Sequence, residues 1–412
     1  MPFLDSTPDL TRTIITQENL IGARIYFKRL ISLLDPKWLT KPKGYLRLAW
    51  DNDGESGVTF LVDLALHLLV VEKAITVRSR TIFEDKVIQL LRINDEKDFN
   101  NLVSEFRVLS FFAQKTNPIE LDPLVPQNKL KSSERPKTPD FSIQLSSERI
   151  LLEITVFYFQ PFIICKNNID QTFRFIKQDF FKNNIRRIFT LNLPLSYKWS
   201  QVKNFIQSTV LPNVKEAASG KDSITVNEKQ ISVAWRELPH IQCDLSKHPH
   251  PSTIIFPNDD YATFSSPGGL GMWWRQGVGY NNNYSWFGIK KTSAIAFETI
   301  IQPEDVTELI IKSIRNTLDR KREQLRSKDT QILVFVNSHH ELTTPEIIGM
   351  VQKRIWANPQ YAWLSAILIY IPRTGFVKND KPAHMYSLIN PNAACSGKAF
   401  NEFMSINFKE IH

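Results

Sequence analysis

Apolar positions recur at helical spacing over residues 57–73 and 81–92, so the first ninety or so residues are predicted to be mostly helical. The turn residues Asp51-Asn52-Asp53-Gly54 separate the first of these helices from a strand-like stretch at 44–50. From Asp95 the pattern changes to strands alternating with helices, the mark of an α/β domain. A helix over 97–115 is followed by a polar, proline-bearing connection at 117–138. Two strands come next, 140–145 and 149–157, joined by Ser146-Ser147-Glu148. Helix, strand and helix run through 167–218, with 187–191 as the strand. Residues 238–285, rich in Pro, Gly and Asn, read as long loops around short strands. A helix at 303–328 opens on Pro303, where the missing N–H costs nothing. A buried-type strand at 331–337, a helix at 345–356 and another buried strand at 363–371 complete the pattern. The predicted organisation is an N-terminal mainly helical region at 1–92 and an α/β domain at 93–375 with insertions at about 238–285. A C-terminal extension at 376–412 packs on that core.

Charged side chains on otherwise apolar faces single out four positions. At about 100° per residue, Leu102, Phe106, Leu109, Phe112 and Ala113 make one arc of the 97–115 helix, and Glu105 lies inside it. A carboxylate on a buried face needs a partner, a metal or a proton. With a period of two, Asp140 opens one strand after Pro139, and Glu153 stands in the middle of the apolar run Ile150-Leu151-Leu152-Glu153-Ile154. A hairpin between these strands would bring Asp140 and Glu153 close, and paired carboxylates suit a hard divalent cation. In the 303–328 helix, Val306, Ile310, Ile314, Leu318 and Leu325 form the apolar stripe; Lys321 falls within it and Gln324 at its edge. A lysine there either snorkels past the core or meets a buried partner.

Composition narrows the setting. The chain has 412 residues, 42% hydrophobic and 23% charged, ample for a core and unlike a disordered chain. Three widely separated cysteines (Cys165, Cys243, Cys395) argue against a disulfide framework or a zinc ribbon. No repeat is present, and the N-terminus has no signal-peptide pattern. The most apolar stretch, 58–71, is broken by Asp63 and His67 and is too short to span a bilayer. A cytoplasmic protein with no membrane partner is expected. The net charge of +9 suits an anionic partner.

Glu105 on a helix, Pro139-Asp140 opening a strand and Glu153 on the next strand resemble the PD-(D/E)xK nuclease superfamily in order, element type and spacing. The twelve residues between Asp140 and Glu153 suit the hairpin of that motif. The motif lysine is absent: position 155 is threonine, in Glu153-Ile154-Thr155. Some members of the superfamily take the lysine from another element, and Lys321, just ahead of the 331–337 strand, resembles such a replacement. The resemblance covers about residues 95–375. It implies a restriction-endonuclease-like α/β fold, a mixed central sheet flanked by helices, and metal-dependent phosphodiester hydrolysis. It further implies Mg²⁺ or Mn²⁺ held by Asp140, Glu153 and Glu105, and Lys321 acting at the reacting phosphate with support from Thr155 and Gln324. The separation of the Lys321 amine from the Glu153 and Asp140 carboxylates decides whether that lysine can serve.

Arg186 and Arg187, the Trp273-Trp274-Arg275 loop, and Arg320 and Arg322 are candidate contacts to nucleic acid; the loop reads equally as self-packed or as an oligomer contact, and the basic runs as solvated helix faces. Cys243, His248 and His250 match no common zinc spacing and read as a chance cluster; His339-His340-Glu341 reads as a surface loop. The expected function is an endonuclease acting on DNA, as a restriction or phage-defence effector. Its rivals are an inactive nuclease-like DNA-binding or scaffold protein and an RNA-processing nuclease. Expected partners are nucleic acid, DNA before RNA, together with a second copy of the chain or other defence-system proteins.

Overall fold

The computed structural model describes residues 2–405 except 12, 53, 114–117, 125–137, 146–147, 184, 196, 238–252, 256–260, 264–270, 273–274, 277–282, 291–292, 302, 326–328, 338–342, 374–381 and 394–397; between 253 and 301, and at 2, 162, 166, 170, 173, 181, 186, 303, 323–325, 398 and 399, it describes the backbone alone. The chain forms two compact units, one of residues 1–157, 313–340 and 352–412, the other of residues 158–312 and 341–351. The boundaries anticipated at 92 and 375 both fall inside the first unit.

Helices α1 (Pro2–Asp5), α2 (Gln17–Leu34), α3 (Pro36–Thr40), α4 (Leu46–Trp50), α5 (Glu55–Ala74), α6 (Arg80–Arg92) and α7 (Glu96–Ala113) open the first unit. Strands β1 (Ile119–Leu121), β2 (Phe141–Leu145) and β3 (Glu148–Val156) follow. The second unit contains α8 (Gln160–Asn183), β4 (Arg186–Leu193), α9 (Trp199–Phe205), α10 (Leu211–Glu216), β5 (Gly220–Val226) and β6 (Lys229–Glu237). It continues through the short β7 (Thr253–Ile255), β8 (Tyr261–Thr263), β9 (Gly271–Met272) and β10 (Arg275–Gln276) to β11 (Asn283–Lys290) and β12 (Ser293–Ile301). Then come α11 (Pro303–Leu325), β13 (Thr330–Val336), α12 (Pro345–Trp356), β14 (Ala366–Ile371), β15 (His384–Ile389) and α13 (Lys398–Ser405).

The first unit is built on a six-stranded mixed sheet, ordered β1-β2-β3-β13-β14-β15. Its centre is parallel, β3 with β13 and β13 with β14, and its outer pairs are antiparallel. β13 and β14 are buried along their whole length, as strands covered on both faces must be, which explains their unbroken apolar runs. One face, carrying Phe141, Ile150, Leu152, Ile332, Val334 and Leu368, shares a single apolar core with α2, α5, α6 and α7. Phe112 of α7 meets Phe141 of β2 and stacks on Phe403 of α13. The second unit holds a further six-stranded sheet, ordered β5-β6-β4-β12-β11-β9, and a three-stranded one.

The stretch 44–50, read as a strand, is the helix α4. Leu46 and Trp50, four apart, are fully buried while Leu48 between them is 55% exposed, so the spacing that matters is helical. Gly44 precedes it at φ +75, where an added Cβ would lie 2.7 Å from the Leu91 carbonyl oxygen. Among the described residues no helix is long and apolar enough to cross a membrane.

Candidate functional site

The β2–β3 hairpin sets two carboxylates against each other. Its register pairs Phe141 with Leu152 and Ser142 with Leu151. One residue further along, Asp140 stands opposite Glu153. Since Phe141 and Leu152 face the helical core, the intervening alternation turns Asp140 and Glu153 to the sheet's other face, with Leu151. Glu153 is fully buried. The two are stitched by reciprocal bonds: the Ile154 backbone N–H donates to Asp140 Oδ2 at 2.6 Å, and the Asp140 backbone N–H donates to the Glu153 carboxylate.

Lys321 arrives from α11, 168 residues away in sequence, and its amine donates directly to Glu153 Oε1. It continues the buried stripe of Ile310, Ile314, Thr317 and Leu318, three and four residues apart, so the helix aims it inward. Thr155, two residues beyond Glu153, shares its face of β3 and is half-buried.

A second lysine enters from α6. Lys86 Nζ lies 2.8 Å from Glu105 Oε1 on α7 and 3.5 Å from Asp122 Oδ1, just after β1. Asp122 adopts φ +44, and its N–H donates to the Asp140 carbonyl at 3.0 Å. Glu105, Asp122, Asp140 and Glu153 thus share one cluster with Lys86 and Lys321. The sequence reading missed Lys86 and Asp122. Lys86 carried the usable signal, a charge between Phe83 and Leu90 on the buried side of α6; Asp122 carried none.

Electrostatics reflect crowding. Burial first, then the facing Glu153, pushes Asp140 up to about 7. Burial likewise lifts Glu153 to about 7 against the pull of Lys321, and Glu105 to about 7 against the pull of Lys86. Lys86, despite its own burial, is held well above the usual lysine range by Glu105 and Asp122. Such a set of hard oxygen donors with surplus negative charge suits a divalent cation. Among the described residues, however, no three His, Cys, Asp or Glu side chains are arranged around one point to hold a metal. Glu105, expected to join Asp140 and Glu153 in one shell, stands beside Lys86, whose amine forms an ion pair with its Oε1. Two carboxylates suffice for Mg²⁺, which keeps much of its water and takes further oxygens from phosphate.

Arg320 folds back on its own helix, donating to the Asn316 carbonyl at 3.2 Å, and Arg322 is exposed. Arg187 belongs to the second unit and donates to the Ala217 carbonyl at 3.5 Å. Trp273 and Trp274, the side chains of Arg186, Arg275 and Gln324, and the residues Cys243, His248, His250, His339, His340, Glu341 and Cys395 lie outside what is described.

Compared with protein-family models, with curated proteins and with solved structures, the chain matches none. The geometry alone carries the functional argument. It offers a buried acidic pair with a lysine amine on it, an arrangement able to hold a divalent ion and to place a positive charge beside whatever that ion binds.

Proposed function

We propose that this chain is a metal-dependent phosphodiesterase of the PD-(D/E)xK type, cleaving nucleic acid and DNA in preference to RNA. The observation that carries the reading is the Lys321 amine on the Glu153 carboxylate, with Asp140 in the facing register position. That is the trio the motif needs, with Lys321 in place of the lysine that Thr155 replaces. Asp140 and Glu153 would hold Mg²⁺ or Mn²⁺. Such an ion, when bound, lowers the pKa of its water and neutralises charge on the phosphate. Lys321 acts as a fixed positive charge that orients the attacking oxygen and stabilises charge on the pentavalent phosphorus, a contribution of about 3–4 kcal/mol. Ile154 N–H keeps the Asp140 carboxylate turned toward Glu153. Thr155 can donate a hydrogen bond at the same face but supplies no charge. A restriction-endonuclease-like fold agrees with the mixed sheet, and a restriction or phage-defence role is the biological setting we favour.

The test is incubation of the purified protein with plasmid, single-stranded DNA and RNA in Mg²⁺ or Mn²⁺. Cleavage of DNA that falls at least about 100-fold in Asp140→Ala, Glu153→Ala and Lys321→Ala is the expected result. Full activity in Asp140→Ala overturns the site. Salt-sensitive binding with no cleavage would instead make the chain a DNA-binding scaffold, and RNA cleavage alone would make it an RNA-processing enzyme.

A further inference from the structure

Lys86 has no counterpart in the motif, yet it is built into the site. α6 buries Phe83, Val87 and Leu90 and carries Lys86 among them, leaving its side chain 16% exposed. An ammonium withdrawn from water must be compensated. Here two carboxylates from two other elements do so, Glu105 at 2.8 Å and Asp122 at 3.5 Å. Asp122 is in turn tied through its N–H to the carbonyl of Asp140. Lysine suits the position because its ammonium is a compact point charge with three donors, able to bridge carboxylates that share no plane.

We infer that Lys86 is the site's resident second cation, and that it restricts the site to one divalent ion, held by Asp140 and Glu153. This rests on reading that pair as metal ligands. Ionised, the four carboxylates and two ammoniums leave two negative charges, the complement of one divalent ion. A second ion, as two-metal phosphoryl-transfer sites use, would have to take Glu105 and Asp122. Lys86 stands within ion-pair distance of one oxygen of each, Glu105 Oε1 and Asp122 Oδ1. Lys86 is thus a positioning residue: it withholds Glu105 from the metal and supplies in protein form the charge another ion would bring.

The decisive measurement is the stoichiometry of Mn²⁺ binding to the full chain, by calorimetric titration and by the spin resonance of free Mn²⁺. The wild-type protein should bind one ion. Glu105→Gln should also bind one, with affinity within about threefold of wild type. Lys86→Met should bind two, and Lys86→Arg one. Two ions in the wild type, a tenfold or greater loss of affinity in Glu105→Gln, or a single ion in folded Lys86→Met would each overturn the inference. Because the wild type and Glu105→Gln decide independently, a poorly folded Lys86→Met does not rescue it. No ion at all in the wild type would instead sink the metal reading on which the inference stands, a result distinct from the other three.

Discussion

Asp140, Glu153 and Glu105 hold their protons to about pH 7, against usual values of 3.8 for Asp and 4.5 for Glu. The folded chain therefore binds protons that the unfolded chain releases. The stability this gives is complete below about pH 4 and is lost as pH rises through about 7, at about 1.4 kcal/mol for each unit of upward shift. We expect the metal-free protein to melt at progressively lower temperature from pH 5 to pH 8. Asp140→Asn keeps an oxygen to accept the Ile154 N–H but removes one of the crowded charges. It should be more stable than the parent by about 1–3 kcal/mol at pH 8, with the gap closing toward pH 5. Melting curves across that range check both points, and a gap that does not vary with pH rejects the crowding argument. The residues of this cluster were legible where a charge broke an apolar period: Glu105 in its arc, Glu153 mid-strand, Lys321 in its stripe. Lys86 breaks α6 in the same way, three residues from Phe83 and four from Leu90, and the same test applied to α6 finds it. Asp122 follows a three-residue strand with no period to interrupt, so only the fold reveals it.

Among elements, the pairing of α5 with α7 depends on a polar network inside the helical core. Asp63 Oδ2 accepts from Arg107 at 2.9 and 3.2 Å; Asp63 Oδ1 is 3.1 Å from His67 Nε2, and His67 Nδ1 meets Ser110 Oγ at 2.5 Å. Burial alone would raise Asp63, but His67 and Arg107 outweigh it and hold its carboxyl well below the usual range. Removing one partner leaves a buried charge uncompensated, so Arg107→Met should cost about 3–5 kcal/mol. With Asp63→Asn added, the loss should be clearly smaller than the two single losses combined, which a double-mutant cycle in denaturant measures. In the sequence Asp63 and His67 served only as interruptions of an apolar helix; their partners lie 43 and 44 residues away and no local pattern points to them. The hairpin β5–β6 was missed for a different reason. Its strand residues are largely polar, and its turn places Asn227 at φ +50 and Glu228 at φ +65, a conformation usually signalled by glycine. Glu228→Gly should accordingly stabilise the chain by up to about 1 kcal/mol, since the left-handed conformation is unfavourable to any side chain. Destabilisation in the same denaturant titration would show that the Glu228 side chain contributes more than its backbone gives up. Helices α5, α6, α7, α11 and α12 were readable because each is long enough to show its period, whereas the five-residue α4 looked like a strand.

For the molecule as a whole, the sequence conveyed one α/β core and left the second sheet unseen, because two of its strands, β11 and β12, follow a loop-rich region and β4, the strand beside β12, lies about a hundred residues earlier. The division into units cuts across sequence order: α11 begins among residues of the second unit and ends in the first, where it delivers Lys321. Linear boundaries such as 92 and 375 cannot express that. Net charge, by contrast, belongs to the whole chain and is read directly, at +9. An acidic cluster repels a phosphate backbone unless the surrounding surface is basic enough to draw it in. If nucleic acid is the substrate, that basic surplus must appear as counterion release on binding. The affinity of the chain for a non-cleavable or Ca²⁺-held duplex should then fall at least about 10-fold between 50 and 200 mM salt, the response of only a few neutralised phosphates. Lys321→Ala should leave the slope nearly unchanged, because that ammonium is already paired with the Glu153 carboxylate. A binding constant indifferent to salt, measured by fluorescence anisotropy on a labelled duplex, would mean that the +9 serves solubility and that the acidic site takes a smaller phosphodiester.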